Sequence, residues 1–328
     1  MTARAALALT LLALAGAAGC GPSGRPPPAA RQETSPQWAD VFDGTPDLYA
    51  VLRPQAIKRD AVYGALWTTV LRFAQAQHLL HGQTALEVAE GAEEIVVGIN
   101  PGDDAAIVFR GVPASLDPKR MTDAGGHPLF RLLDDKGSAP EYEPLDRTNA
   151  ASGSVFVLPD RTWVVALGDA RPRARQAFAS PFGRPAPKID RSALAAVRFG
   201  ESFVQGPRYV KSPVWGPLTR KLASATLALM PGKGGLVVTL HYVDEDATAW
   251  AEMHARRLVD ELAALGPEPG PRRPGPRPDP TPTPQEGRFA WLKGTTVERE
   301  GNVVRVRLAI PPRLLEALPN ASARDLPL

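Results

Sequence analysis

One order of segments recurs four times between about residues 93 and 318, and it limits the folds open to this chain. Each copy has an apolar strand, a tight polar turn, a second apolar strand and a helix-forming stretch. Turns this short cannot carry a chain into a parallel neighbour, which needs a crossover of about a dozen residues, so the strands of each pair must run antiparallel. In the first copy, residues 95–99 and 105–112 flank Asn100-Pro101-Gly102-Asp103-Asp104, and residues 117–121 open a short helix. In the third, residues 226–230 and 236–243 flank Pro231-Gly232-Lys233-Gly234-Gly235, ahead of a long helix over 246–265. The second runs 155–158, Pro159-Asp160-Arg161, 163–167 and a helix near 173–179, and the fourth turns at Glu300-Gly301-Asn302.

Two further strands, 48–52 and 194–199, precede helical stretches at 60–80 and 214–224. Short strands at 129–133 and 141–145, around Asp135-Lys136-Gly137, fall between the first and second copies. The pattern predicts an α+β fold with antiparallel sheet built from strand-strand-helix modules, and an internal duplication with halves near 47–179 and 192–318. The chain divides into a leader at 1–19, a tether at 20–36, a first half at 37–180 and a second at 181–265. A proline-rich linker or loop at 266–287 carries Arg272, Arg273 and Arg277 and reads as extended. A terminal hairpin and short helix at 288–318 complete the second half, since a lone hairpin is marginal, and 319–328 form a tail.

Alternation assigns faces. In the last strand Val304, Val306, Leu308 and Ile310 share one face, while Arg305 and Arg307 project from the other toward solvent or a partner. The helix from Asp246 has an apolar stripe of Ala247, Trp250, His254, Leu258, Leu262 and Leu265, a polar face with Glu252, Arg256 and Asp260, and Gly266-Pro267 to stop it.

At 328 residues with 44% hydrophobic side chains, the chain has room for one large domain or two ordinary ones. The formal charge of +3 is small and the arginines are scattered, so nucleic acid is not an expected partner. A single cysteine excludes an internal disulfide, leaving buried apolar surface to hold the fold. That cysteine, Cys20, closes an apolar stretch. Arg4 precedes an unbroken run of Ala, Leu, Thr and Gly over 5–18, matching the n- and h-regions of a signal peptide and too short to span a bilayer, which takes about 20 residues.

The sequence Ala17-Ala18-Gly19-Cys20 resembles the lipobox of bacterial lipoproteins, with Ala17 where the family most often has Leu. The resemblance covers the leader only. It implies cleavage between Gly19 and Cys20, a diacylglyceryl thioether on Cys20, acylation of the freed amine, and so attachment to membrane lipid. Two acyl chains already give stable anchoring at about 0.8 kcal/mol per buried methylene. Residues 21–36, with Pro26-Pro27-Pro28, read as a flexible tether. Gly21 after the cysteine resembles the class sorted to an outer membrane, where the organism has one. The alternative is a leader cut after Ala15-Gly16-Ala17 and a secreted, soluble protein with a free thiol.

Candidate chemistry is sparse. His78 and His81 lie three apart near a helix end without a third ligand at zinc spacing, His254 falls on an apolar stripe as a core residue, and His127 sits in a turn. Pro231-Gly232-Lys233-Gly234-Gly235 is superficially like a phosphate loop, but a strand follows where a helix is required, so it reads as a hairpin turn. The carboxylate pairs Glu93-Glu94, Asp103-Asp104 and Asp134-Asp135 lie at turns and strand starts. Arg171, Arg173 and Arg175 could meet an anionic lipid head or polymer, or serve as solubilising surface. No catalytic, cofactor or metal residue is assigned. The expectation is a membrane-anchored envelope lipoprotein with a non-enzymatic binding or scaffolding role and an envelope protein or polymer as partner. The alternatives are a hydrolase with a dispersed site and a periplasmic carrier of an apolar ligand.

Overall fold

Strand β1 (Leu48–Leu52) is apolar at every position, as a strand buried on both faces must be, and it lies in the middle of the sheet. In the computed structural model, residues 37–311 are described apart from 43, 66, 69–81, 101–103, 124, 136–138, 146–152, 181–182, 184–188, 213–214 and 266–288. The described strands form one antiparallel sheet of twelve: β1, β2 (Glu94–Asn100), β3 (Asp104–Arg110), β4 (Phe130–Asp134), β5 (Glu141–Pro144), β6 (Ser154–Val157), β7 (Trp163–Leu167), β8 (Ala195–Phe199), β9 (Leu222–Met230), β10 (Gly235–Tyr242), β11 (Thr296–Glu300) and β12 (Val303–Leu308). Their order is β11-β12-β10-β9-β8-β1-β2-β3-β7-β6-β5-β4. The sheet is continuous through the β1–β8 pair, in register Leu48↔Phe199, Ala50↔Val197 and Leu52↔Ala195. The fold is α+β, with an antiparallel sheet and few helices.

The helices are α1 (Pro54–Arg59), α2 (Gly82–Gly91), α3 (Ala170–Ala179), α4 (Glu201–Val204), α5 (Pro207–Val210), α6 (Gly216–Thr219) and α7 (Glu245–Ala264). Among the described residues, none is long and apolar enough to cross a membrane. On one face of β1–β7, the front, Tyr49, Val51, Val96, Val108, Phe156 and Val164 pack under α3 and the 3-10 turn Trp38–Val41. Gly98 lies opposite Tyr49, and its missing Cβ is what lets the Phe42 ring reach the sheet and meet Tyr49 edge-on at 6.1 Å. On the back, Ile95, Phe109, Tyr142, Val155 and Trp163 pack with Ile57, Tyr63, Trp67 and Val88. The back of β9–β12 is covered by α7 and α6 through Ala251, Ala255 and Leu218, on Ala225, Leu240 and Val304. The front of those strands carries the cross-strand row Arg198, Thr226, Thr239, Arg305 and Glu298.

Three local expectations are corrected. Residues 117–121 are a turn, not a helix start: the Asp117 carboxylate accepts from Lys119 N at 3.0 Å and its carbonyl from Arg120 N at 2.9 Å, which closes the chain too early. Of the helix expected over 214–224, the described residues form only α6, because Lys221 turns with φ +56° and the apolar run from Leu222 is taken up between β8 and β10. The buried stripe of α7 is Thr248, Ala251 and Ala255, not Trp250, His254 and Leu265; small residues let the helix sit close to the sheet and push the bulky ones outward. The helix itself starts as its acidic entry requires, with Asp244 accepting from Ala247 N at 2.8 Å.

The expected leader, Cys20 and expected tether, the Pro101-Gly102-Asp103 turn, the Lys136-Gly137 tip, and the linker, terminal helix and tail expected at 266–287 and beyond residue 311 lie outside the described residues. Most of the helix expected over 60–80 does too; at its described start Asp60 accepts from Val62 N and Tyr63 N at 2.8 and 3.0 Å.

Candidate functional site

Helix α3 is set by its spacing. Ala170, Ala174, Ala177 and Phe178 fall on one stripe and are buried on the front of the sheet, and the alanines keep the helix axis close to the strands. Arg171 and Arg175, four residues apart, then share the flank facing the edge hairpin β4–β5. From that hairpin comes Glu141, on the front face opposite Phe156 and only 4% exposed.

Between helix and hairpin lies an open cleft of about 540 Å³, within the range of small-molecule sites. Its floor is apolar, with Phe156 and Phe178 meeting edge-on at 5.3 Å beside Ala139, Leu133 and Ala179. Leu133 is the extra residue of a β-bulge, since Leu132 pairs with Tyr142 and Asp134 with Glu141. The rim is ionic. Arg175 donates to both carboxylate oxygens of Glu141, at 2.6 and 2.7 Å, Ser154 Oγ donates to Oε1, and Arg171 Nε makes a longer contact of 3.4 Å. Arg131 pairs with Glu143 across the strands, and Asp134 completes the lining.

Burial works against the Glu141 charge. The hydrogen bonds from Arg175 and Ser154, with the charges of Arg175 and Arg171, outweigh it and hold the carboxyl below its ordinary range. Glu141 is therefore a fixed anion at neutral pH and a weak base. Ser154, wholly buried, donates its hydrogen bond to that weak base, so the pair is poorly suited to activate a nucleophile. What the cleft can do is bind: it joins apolar surface to guanidinium groups whose geometry is fixed by a buried carboxylate.

The predicted site residues are dispersed. Gly19, Cys20, His78 and His81 lie outside the described residues. His127 closes an exposed turn with Asp123, at 3.1 Å between ring and carboxylate. His254 is half-buried and stacked on Trp250 at 5.2 Å, not a core residue, because α7 presents its small side chains to the sheet. The Pro231–Gly235 segment is a hairpin turn, and its Gly232 N–H is taken by the Asp60 carboxylate at 2.7 Å. Glu94 bridges Arg53 and Arg110. Among the described residues, no group of three or more His, Cys, Asp or Glu is placed to hold a metal. Of the arginine trio, the fold brings Arg171 and Arg175 together and leaves Arg173 off the cleft lining. Sequence reasoning missed Glu141, Glu143 and Arg131. The signal was there in the two-residue spacing of Glu141 and Glu143 on a strand, against arginines at helical spacing, but it joins residues thirty or more apart.

No protein-family model and no curated protein matches the chain. In fold it is similar to solved structures of TP0453: crystal form III (TM-score 0.48, 10% identity, 88% of this chain and 99% of that one) and crystal form I (TM-score 0.49, 10% identity, the same coverage).

Proposed function

We propose that the chain is an exported protein held to a membrane of the cell envelope by acylated Cys20, and that its folded part is a non-catalytic binding module with the edge cleft as its ligand site. The observation that carries the module is Glu141, a buried carboxylate fixed by two arginines and a serine over an apolar floor. Buried ion clusters contribute little net stability compared with apolar packing, and this one opens onto a ligand-sized space. The leader, the small residues before Cys20 and the proline-rich tether support the anchor. Strand order supports the duplication. Outward from the centre, β1-β2-β3-β7-β6 on one side matches β8-β9-β10-β12-β11 on the other, with β4 and β5 inserted in the first half. On this reading the ligand site belongs to the inserted hairpin, and so to one half only.

The anchor is tested by mass spectrometry of native material, which should find residues 1–19 removed and acyl mass on Cys20; a free thiol or a retained leader overturns it. Ligand-observed NMR tests the module. Small acids, amines, sugars and neutral compounds are screened against the full chain carrying Cys20→Ser, with and without Ala179→Trp, which fills the cleft from an exposed position beside its apolar floor. At least one class should bind the parent and be lost in the filled variant. Binding indifferent to the filling, or none at all, sinks the reading.

A further inference from the structure

We infer that the edge cleft takes a small organic monoanion, a carboxylate carried on a short apolar body, and that Arg171 is the guanidinium that meets it. This deepens the binding-module reading and rests on it.

The donor and acceptor count points this way. A guanidinium carries five N–H donors. Among the described residues, Arg175 commits Nε and Nη2 to Glu141, Arg131 commits Nη2 to Glu143, and Arg171 commits only Nε, at 3.4 Å. Both oxygens of the buried acceptor facing them, Glu141, are engaged. Oε1 of Glu141 receives Ser154, Arg175 and Arg171, and Oε2 receives Arg175. The mouth is rich in donors, so a ligand that satisfies it must bring acceptor oxygens, and a cation would find the Glu141 oxygens taken.

Charge and shape narrow the class. Three arginines line the cleft against Asp134, Glu141 and Glu143, a formal balance of zero, so one added negative charge can be met by redirecting Arg171 while a polyanion would have to displace Glu141. The Phe156–Phe178 floor and about 540 Å³ of space suit a short apolar body behind the carboxylate. Arg171 is the residue able to redirect: its one contact among the described residues, at 3.4 Å, is the longest in the cluster, while Arg131 and Arg175 are held in shorter pairs. Arg175 is the positioning residue that keeps Glu141 ionised and in place.

The test titrates hexanoate, hexanamide and hexylamine into the full chain carrying Cys20→Ser, followed by NMR, with Arg171→Gln, Arg171→Lys and Ala179→Trp as variants. Hexanoate should bind saturably and at least about tenfold more tightly than the other two, since a charge-assisted hydrogen bond contributes a factor of that order. Arg171→Gln should weaken hexanoate about tenfold or more, Arg171→Lys should recover part of the loss, and Ala179→Trp should abolish binding. A melting temperature near the parent's separates loss of binding from loss of fold, and the Arg171→Lys result decides the matter should the Gln variant not fold. Equal binding of hexanamide, or hexanoate affinity unmoved by both Arg171 variants, overturns the inference. If hexanamide or hexylamine binds as tightly as hexanoate and Ala179→Trp removes it, the module reading stands and the carboxylate assignment fails. If none of the three binds, the carboxylate assignment fails alone, and the broader screen decides the module.

Discussion

Glu141 and Asp60 are two carboxylates with different tasks and the same dependence on pH. Asp60 accepts Gly232 N–H from the β9–β10 turn as well as Val62 and Tyr63 N–H; its partial burial opposes the charge, and the three amides outweigh that, so it too titrates below its ordinary value. For groups lowered from 4.5 and 3.8, the unfolded chain takes up protons first as the solution is acidified. Their contribution to stability is thus complete above about pH 5 and is lost as pH falls through the folded-state values. Melts from pH 7 to 3 should fall in temperature across that window, and Glu141→Gln should flatten the fall; an unchanged slope would mean that Glu141 is not the titrating group. At pH 7 the same substitution should cost about 2 kcal/mol, below the usual cost of breaking a buried pair because Arg175 is half-exposed and can turn to water. Gly235 is a sharper case. Its φ of +67° and the Leu308 carbonyl facing the vacant Cβ position leave no room for a side chain, so Gly235→Ala should destabilise by about 2 kcal/mol or more in urea titration. The glycine-rich turn was legible at this scale, but the carboxylate it binds was not, because Asp60 lies more than 170 residues away.

At the scale of elements, legibility followed the period of the pattern. Strands β1, β7 and β12 stand out because a two-residue alternation or an unbroken apolar run leaves few alternatives over five or six residues. Helix α7 was legible in extent but not in rotation. Hydropathy favours the stripe with Trp250 and Leu265, whereas packing selects Thr248, Ala251 and Ala255, since the helix gains more by lying close to β10 and β12 than by burying one ring. Trp250 at 38% exposure and Met253 at 61% are left outside. Ala251→Leu should therefore overpack the contact and cost about 1–3 kcal/mol, while Trp250→Ala should cost about 1 kcal/mol or less. Denaturant midpoints of the two variants check the order, and a larger loss at Trp250 would put the stripe back where hydropathy places it. The 214–224 stretch failed for the opposite reason: Leu222 and its neighbours can serve helix or strand, and only the hydrogen bonds offered by β8 and β10 decide.

For the whole molecule, the question is whether a sheet of twelve strands behaves as one body, and the links across its middle answer it. The β1–β8 ladder joins the halves, with Leu48, Ala50, Ile99 and Val197 buried over it. Asp47 accepts Gly200 N–H through its carbonyl and the Ser202 hydroxyl through its carboxylate. Arg53 leaves the end of β1 to donate to the Asp190 and Ala193 carbonyls of the connector, while its Nε holds Glu94 at 3.1 Å. The Asp60–Gly232 bond adds a fourth tie at the β9–β10 turn. Among the described residues, the edge strands of the sheet resist further growth, with Glu298, Arg299 and Glu300 along β11 and a bulge between Leu132 and Asp134 along β4, so cohesion is concentrated at the centre. Residues in β3 and β7 should then lose protection from hydrogen exchange at the same denaturant concentration as those in β9 and β10, because neither half can open without exposing the central ladder. Arg53→Ala removes the donor to the exposed Asp190 carbonyl and the part-buried Ala193 carbonyl and leaves Glu94 with Arg110 alone, so it should lower both sets together, by about 1 kcal/mol. Two separate exchange transitions in the parent, or an Arg53→Ala loss confined to β1–β7, would show that the halves fold independently and that the shared ladder is only a seam.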